Sequence, residues 1–317
     1  MAQVPAALRN VGQPASRRRG LWQRIKAARL LYLMLLPSLA LLVVFRFMPL
    51  WGISIAFVDY YPLKGLAESP FVGLKHFEAI FGSKEGFEII RNTLVIAVGK
   101  LIAGDIASIA FALLIFQLGH RLFKRIAQVT TAIPHFMSWV IIGGIFIDLL
   151  SSRGLVNAPL QALGLPAIPF LRDQTLFPIT LILTDVWKEF GFGSVIYLAA
   201  LTTILPELYE AAAVDGAGRL SRLIHITIPG IMPTIILMLC LGLGRVLDAG
   251  FEQVLTLLNP LVYSTGDIID TYVYRVGLLR GDFSVGAAIG LFKSVVSFTL
   301  IMFSYWLADR YAGYRIF

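Results

Sequence analysis

Little in this chain is equipped for covalent chemistry. It has a single cysteine, Cys240, inside an apolar run, so no intrachain disulfide forms and the redox compartment is not legible. Its four histidines, His76, His120, His135 and His225, are scattered, and nothing approaches metal-ligand spacing. There is no Gly-x-Ser-x-Gly elbow and no cysteine–histidine pair. A Gly-x-x-x-x-Gly-Lys-Ser/Thr phosphate loop is missing too, so the chain is not expected to bind ATP itself. Charge is scarce as well. Asp, Glu, Lys and Arg make up 15% of the residues, where soluble domains carry roughly a quarter. Solenoid periods, heptad runs and low-complexity tracts are absent. No cofactor is expected on this chain, and an enzyme ranks last among the readings.

What the chain has in quantity is apolar length. It is 317 residues long and 57% hydrophobic, with a mean hydropathy of +0.79. Six segments approach the length of about 20 residues needed to cross a bilayer core. They are 30–57, 93–117, 126–150, 176–204, 231–258 and 284–308. The expectation is an all-α polytopic membrane protein: a basic arm or interfacial helix, 1–29, ahead of one six-span domain, 30–317. The first apolar run is too long for a secretory signal and no small-residue cleavage site follows it, so it reads as a signal anchor.

The net charge of +8 is placed for membrane orientation, not for nucleic acid. With the N-terminus inside, Arg9, Arg17, Arg18, Arg19, Arg24, Lys26, Arg29, Arg121, Lys124, Arg125, Arg219, Arg222, Arg310 and Arg315 face the cytoplasm, fourteen in all. Lys64, Lys75, Lys84, Arg91, Arg153, Arg172, Arg275 and Arg280, eight, face the other side. That bias places both termini inside.

Between the fourth and fifth spans lies a polar interruption, 205–230. Pro206 opens a helix at a position whose N–H is unpaired in any case. Asp215-Gly216 breaks it. Leu220, Leu223, Ile224 and Thr227 then fall on one face of a second short helix, which Pro229 limits. The reading is helix, break, helix, on the cytoplasmic side. Glu210-Ala211-Ala212, three residues, Gly216, nine residues, then Ile226-x-Ile228-Pro229 resembles the coupling loop of bacterial ABC importer permeases, with Ile228 where leucine is usual. The resemblance implies the type I importer fold and a role for Glu210, Ala211, Ala212, Asp215, Gly216, Ile226 and Pro229 in docking to an ATPase. It also implies two ATP-binding subunits that hold ATP and Mg, a second homologous permease, and a periplasmic solute-binding protein. The plain alternative is an interfacial hairpin.

Further segments narrow the likeness. Ser69-Pro70-Phe71-Val72-Gly73-Leu74-Lys75-His76-Phe77, Ile269-Asp270-Thr271-Tyr272-Val273-Tyr274-Arg275, Gly281-x-Phe283-Ser284 and Gly290-Leu291-Phe292-Lys293-Ser294 resemble sugar-importer permeases of the oligosaccharide and polysaccharide subgroup. Within it, alginate-importer permeases are the nearest likeness. The long outer segment 59–92, with a helical turn expected at 76–81, reads as a cap, a docking loop for the binding protein, or both.

Ten ionisable residues fall inside or beside the spans: Arg46, Lys100, Asp105, Asp185, Lys188, Glu189, Arg245, Asp248, Glu252 and Lys293. Each costs about 2.5 kcal/mol or more if central, so partners are expected. Asp185 with Lys188, and Arg245 with Asp248, stand at i, i+3 and are expected to meet. Arg245, Asp248 and Glu252 would form a polar stripe on the fifth span. A saccharide path would use Arg46, Trp187, Tyr197, Arg245, Asp248, Phe251 and Lys293, the rings for stacking and the cations for any uronate. Phe190 and Phe192 are further candidate rings, and packing is the alternative for every one of these. The competing functional reading is an ion-coupled carrier with Asp185, Glu189 and Asp248 as proton sites, although no inverted pair of broken helices supports it. The expected location is a bacterial inner membrane, in contact with lipid.

Overall fold

The structure is a computed structural model that describes Lys26 and residues 28–312. The greater part of the expected basic arm, including Leu21, Trp22 and Ile25, and the C-terminal Arg315 lie outside the described residues. The chain divides into two compact units, Met1–Ile53 and Ser54–Phe317.

In the first unit, α1 (Arg29–Leu42) runs on through a π-helical turn, Val43–Phe47, into a 3₁₀ stretch, Met48–Phe57. Its residues are almost uniformly apolar and exposed, from Leu30 to Trp51. A helix hydrophobic all round belongs in lipid or against another membrane surface. Arg46 lies in the π-helical turn and is exposed.

The second unit is built on two long helices. α3 (Lys84–Gln117) starts nine residues before the expected span, because the Ser83 side chain caps it by accepting from the Gly86 N–H at 3.0 Å. Ahead of it lies α2 (Lys75–Phe81), where the helical turn was expected. Then follow α4 (Arg121–Ala132), α5 (Trp139–Leu150), α6 (Ala158–Ala162) and α7 (Leu176–Leu201). The hairpin is α8 (Pro206–Val214) and α9 (Arg219–Arg222), which continues through a π-helical turn into α10 (Ile228–Leu243). The chain closes with α11 (Phe251–Leu257), α12 (Tyr263–Gly266), α13 (Ile269–Tyr272) and α14 (Phe283–Ala312). Among the described residues there are no strands, only an isolated bridge between Val58 and Phe71.

Four helical stretches are long and apolar enough to cross a membrane, Arg29–Phe57, Lys84–Gln117, Arg219–Leu243 and Phe283–Trp306. There are six if two bent pairs count as one span each: Arg121–Phe136 with Trp139–Leu150, bent by 101°, and α7 with α8, bent by 72°. The expected fifth span, 231–258, needs correction. Its helix stops at Leu243, and α11 starts afresh after a non-helical stretch, 244–250. The apolar pattern runs straight through that break because Val246, Leu247, Ala249 and Val254 are buried in the main core without being helical throughout.

That core joins α3 to α7 through Ile96, Ala97, Phe177 and Leu181. A second cluster seats α2 on α3 and α14 through Ile80, Ile89 and Ile289, with Phe81 edge-on to Phe292 at 4.8 Å. The helix within the segment 59–92 is therefore packed onto the bundle. A third cluster, Ala112, Tyr197, Leu201 and Ile231, lies toward the hairpin.

Gly191 of α7 marks a close approach between helices. A Cβ there would overlap the backbone carbonyl of Thr131 on α4, whereas one at Gly144 would meet nothing within 4 Å. Overpacking costs about 1–3 kcal/mol, so Gly191→Ala is expected to lower the thermal unfolding midpoint in detergent clearly, and Gly144→Ala to leave it nearly unchanged. Equal midpoints for the two variants would refute the close contact.

Candidate functional site

Two constellations carry function-bearing residues: the hairpin, and a polar network around the break at 244–250.

In the hairpin, α8 carries Glu210, Ala211 and Ala212, and its last turn closes through Asp215 N–H to Ala211 O at 3.0 Å and Ala217 N–H to Ala212 O at 2.8 Å. Gly216 sits at φ +75° with open space around it. That left-handed angle is what only glycine adopts at little cost. The second arm is tied back by Arg222 Nε donating to Ala217 O at 2.9 Å and by Tyr209 and Thr227 hydroxyls 3.0 Å apart. Glu210, Val214, Asp215 and Leu220 are exposed, and Val214 is 89% exposed. Among the described residues Glu210 makes no ion pair and no side-chain hydrogen bond. Ile226, half-buried, and Pro229 follow in the turn that starts α10. The expected helix, break, helix is thus present, with its acidic and apolar side chains turned outward.

The polar network does not pair as the sequence spacing implied. Asp185 meets Lys100 of α3 at 3.4 Å, not Lys188. Lys100 Nζ also donates to Ala249 O at 2.7 Å and to the Gln253 side chain. Gln253 in turn donates to Leu181 O and the Thr184 hydroxyl, both at 2.8 Å. Lys100 and Gln253 therefore fasten the non-helical stretch to both central helices. Lys188 instead meets Glu189 at 2.8 Å and the His135 carbonyl at 3.0 Å. His135 Nδ1 lies 2.6 Å from Glu189, and its ring stacks on Phe192 at 4.0 Å. This holds the end of the α4 arm, just before its 101° bend, against α7. Sequence spacing gave His135 no partner, and Gln253 carried no ionic signal to find it by.

Arg245 and Asp248 do not pair either. They stand in the break, so no helix face aligns them, and the polar stripe expected along a fifth helix is not formed. Asp248 meets Lys293 of α14 at 2.8 Å, and Lys293 also meets Asp270 at 2.8 Å. Arg245 is exposed and makes no ion pair among the described residues. Phe251 packs edge-on to Tyr274 at 5.8 Å, and Trp187, 51% exposed, stands edge-on to Phe146. Tyr197 is 1% exposed in the third cluster, its hydroxyl donating to Asp105 at 2.9 Å. It has no surface to offer a solute, which corrects its assignment to a path. Arg46 belongs to the other unit and is described there. The three carboxylates a proton-driven carrier would use, Asp185, Glu189 and Asp248, are each held by a lysine.

The signature segments around residues 58–75, 267–275 and 284 are structural joints. Ser284 donates to Val58 O at 2.7 Å and accepts from the Tyr60 N–H at 2.9 Å. Lys75 meets Asp59 at 2.7 Å and holds that carboxyl below the usual carboxylate range through hydrogen bond and charge. Arg275 pairs with Asp267 and with Glu85, its guanidinium 4.6 Å from the Tyr263 ring centre and 5.2 Å from that of Tyr272. Burial raises the Asp267 carboxyl, while Thr271 and Arg275 oppose the rise.

The geometry defines a helical membrane chain with bent spans, paired internal charges and an exposed hairpin. Residues 104–313 match the family of binding-protein-dependent transport system inner membrane components, and the chain belongs to that family. Over all 317 residues it is 40% identical to the polygalacturonan/rhamnogalacturonan transport system permease protein YteP of Bacillus subtilis, covering 98% of that protein. Its structure superposes with a TM-score of 0.84 on a bacterial ABC transporter chain involved in import of the acidic polysaccharide alginate. The identity there is 37%, over 92% of this chain and 99% of the other. It matches equally, at 36% identity over 93% and 99% of the two chains, a bacterial alginate ABC transporter in complex with an alginate pentasaccharide-bound periplasmic protein. The chain is the membrane permease of a binding-protein-dependent ABC importer.

Proposed function

We propose that this permease carries a uronate-containing oligosaccharide or polysaccharide inward, driven by ATP hydrolysed on two separate subunits. The observation that carries the substrate class is the likeness, nearly end to end, to permeases named for polygalacturonan/rhamnogalacturonan and for alginate, all of them acidic. The hairpin supports the drive: Glu210, Val214 and Leu220 are exposed, and Glu210 holds no partner among the described residues. ATPase closure would pull on 205–230 and shift the spans from inward- to outward-facing. A periplasmic binding protein would then deliver the saccharide to a path shared with a second, homologous permease. Arg245, exposed and without a counter-ion among the described residues, is the best-placed cation for a uronate, because Lys293 is already neutralised by Asp248 and Asp270. Trp187 and Phe251 are the candidate stacking rings in this proposal. The working orientation has both termini and the hairpin in the cytoplasm of a bacterium, as the charge bias favours.

The test uses the assembled transporter in sealed vesicles with its binding protein. Oligogalacturonates or alginate oligosaccharides are expected to stimulate ATP hydrolysis and enter the lumen, and neutral maltooligosaccharides to do neither. Equal stimulation by the neutral sugars would refute the substrate class. Uptake by the permease alone, without ATPase, would refute the drive and restore the carrier.

A further inference from the structure

A groove of about 350 Å³ opens between the end of α3 and the hairpin. Phe116, Gln117, Tyr209, Arg219, Arg222 and Thr227 line it. Among the described residues its two guanidiniums have no carboxylate partner. Glu207, Glu210 and Asp215 lie on the same hairpin, yet none forms an ion pair with Arg219 or Arg222 among the described residues. The bond from Arg222 Nε to Ala217 O fixes that side chain and leaves its terminal amino groups to be used. A third cation stands at the wall: Lys124 Nζ lies 5.6 Å over the Phe116 ring. The groove wall includes the apolar Leu113, Phe116 and Leu223, and the segments that supply or flank it carry exposed apolar side chains, Leu114 on α3, Leu122 and Phe123 on α4 and Leu220 on α9, beside the exposed Arg121 and Arg125.

Unneutralised cations call for an anion, and arginine presents paired donors that match the oxygens of a phosphate. The exposed leucine and phenylalanine side chains beside them call for hydrocarbon. A soluble anion meets only the first demand. An anionic phospholipid meets both, and basic pockets between helices at the cytoplasmic membrane surface suit its headgroup.

We propose that this groove binds the phosphate headgroup of an anionic phospholipid of the cytoplasmic leaflet, on Arg219 and Arg222, with its acyl chains along the adjacent apolar face. The proposal rests on the orientation given above. Tyr209 and Thr227 lie within the same wall, so a bound headgroup would join the end of α3 to both arms of the hairpin.

The experiment uses the whole transporter complex in mild detergent, titrated with a photo-crosslinkable phosphatidylglycerol. Phosphatidylcholine of the same chains and inorganic phosphate serve as competitors. Crosslinks are expected on peptides carrying Phe116 and Arg219, with weak competition from phosphatidylcholine and none from equimolar phosphate. One cation near a lipid surface is worth about a fivefold change in binding, so Arg219→Gln is expected to weaken capture about fivefold and Arg219→Gln with Arg222→Gln about twenty-five-fold. Arg219 is exposed, so its single variant leaves the packing intact, and Arg219→Lys is expected to retain most binding. Arg280→Gln, on the opposite side of the membrane in that orientation, is the unchanged control. Wild-type capture by Arg219→Gln would overturn the site. Full displacement by inorganic phosphate would overturn the lipid and leave a soluble-anion site. Orientation is scored separately, by labelling Asp215→Cys with a membrane-impermeant thiol reagent in vesicles of known sidedness. Labelling from the periplasmic side sinks the topology, whereas loss of lipid selectivity with correct labelling sinks the lipid site alone.

Discussion

Lys100→Met is expected to destabilise the permease by about 3–5 kcal/mol, the range for removing one partner of a buried ion pair. Lys100 is 9% exposed, and its ammonium serves three acceptors, one each on α7, the break and α11. Removal strands the Asp185 carboxylate on α7. It also strips a donor from the Ala249 carbonyl and from the Gln253 side chain. Those last two hold 244–250, a stretch with little regular hydrogen bonding of its own, against the central helices. The loss should therefore appear first as local opening at the break. Hydrogen exchange of residues 245–257 is expected to rise before the thermal midpoint of the whole permease is reached. Replacing Asp185 with leucine in the same chain removes the stranded charge, so the double variant is expected to recover part of the loss. The Gln253 and Ala249 acceptors remain unserved, so recovery is incomplete. If Lys100→Met unfolds at the wild-type midpoint, the lysine is not the fastening that the geometry makes it.

The same break shows where reading the chain stops working. Hydropathy windows report burial, not conformation. Val246, Leu247 and Ala249 are buried and so look like helix, although the backbone there is not helical. Helical spacing then misassigned the charges: Arg245 and Asp248 were expected as neighbours on a face that does not exist. Asp185 and Lys188 do lie on one helix, but each has a better partner elsewhere, Asp185 the buried Lys100 and Lys188 the adjacent Glu189 with the His135 carbonyl. A choice among several oppositely charged groups is settled by tertiary distance, which a single sequence does not encode. Tyr197 is a candidate path ring in the sequence because aromatic residues stack on sugars, with packing as the alternative. Leu201 is its neighbour on the same helix, but Ala112 and Ile231, which complete its enclosure, come from two other helices and are invisible to any local pattern. The hairpin was legible because its signals are local. Pro206 begins one arm, Gly216 turns the chain at a positive φ, and the apolar spacing from Leu220 to Thr227 continues the other.

Glu210→Lys is expected to cut ATP-driven uptake at least about tenfold, which corresponds to about 1.4 kcal/mol of lost coupling, while expression, insertion and thermal midpoint stay near wild type. The reasoning turns on what the side chain lacks. Glu210 is exposed and holds no partner among the described residues, so reversing its charge breaks nothing within the chain. Surface substitutions of that kind usually change stability by less than about 0.5 kcal/mol. Whatever the variant loses must then be lost across a contact with another subunit. Gly216→Val makes a complementary probe. Its Cβ would meet open space, so there is no clash, but φ +75° costs a non-glycine residue about 1–2 kcal/mol. That strain is relieved only by reshaping the turn, which would move α8 relative to α9 and leave the spans untouched. Both variants are expected to keep the ATPase subunits hydrolysing ATP in the assembled complex, with transport per ATP reduced. Measuring hydrolysis and uptake on the same vesicles separates this from simple loss of assembly, in which both would fall together. Uptake at the wild-type rate with Glu210→Lys would mean that the acidic, outward face of the hairpin transmits nothing.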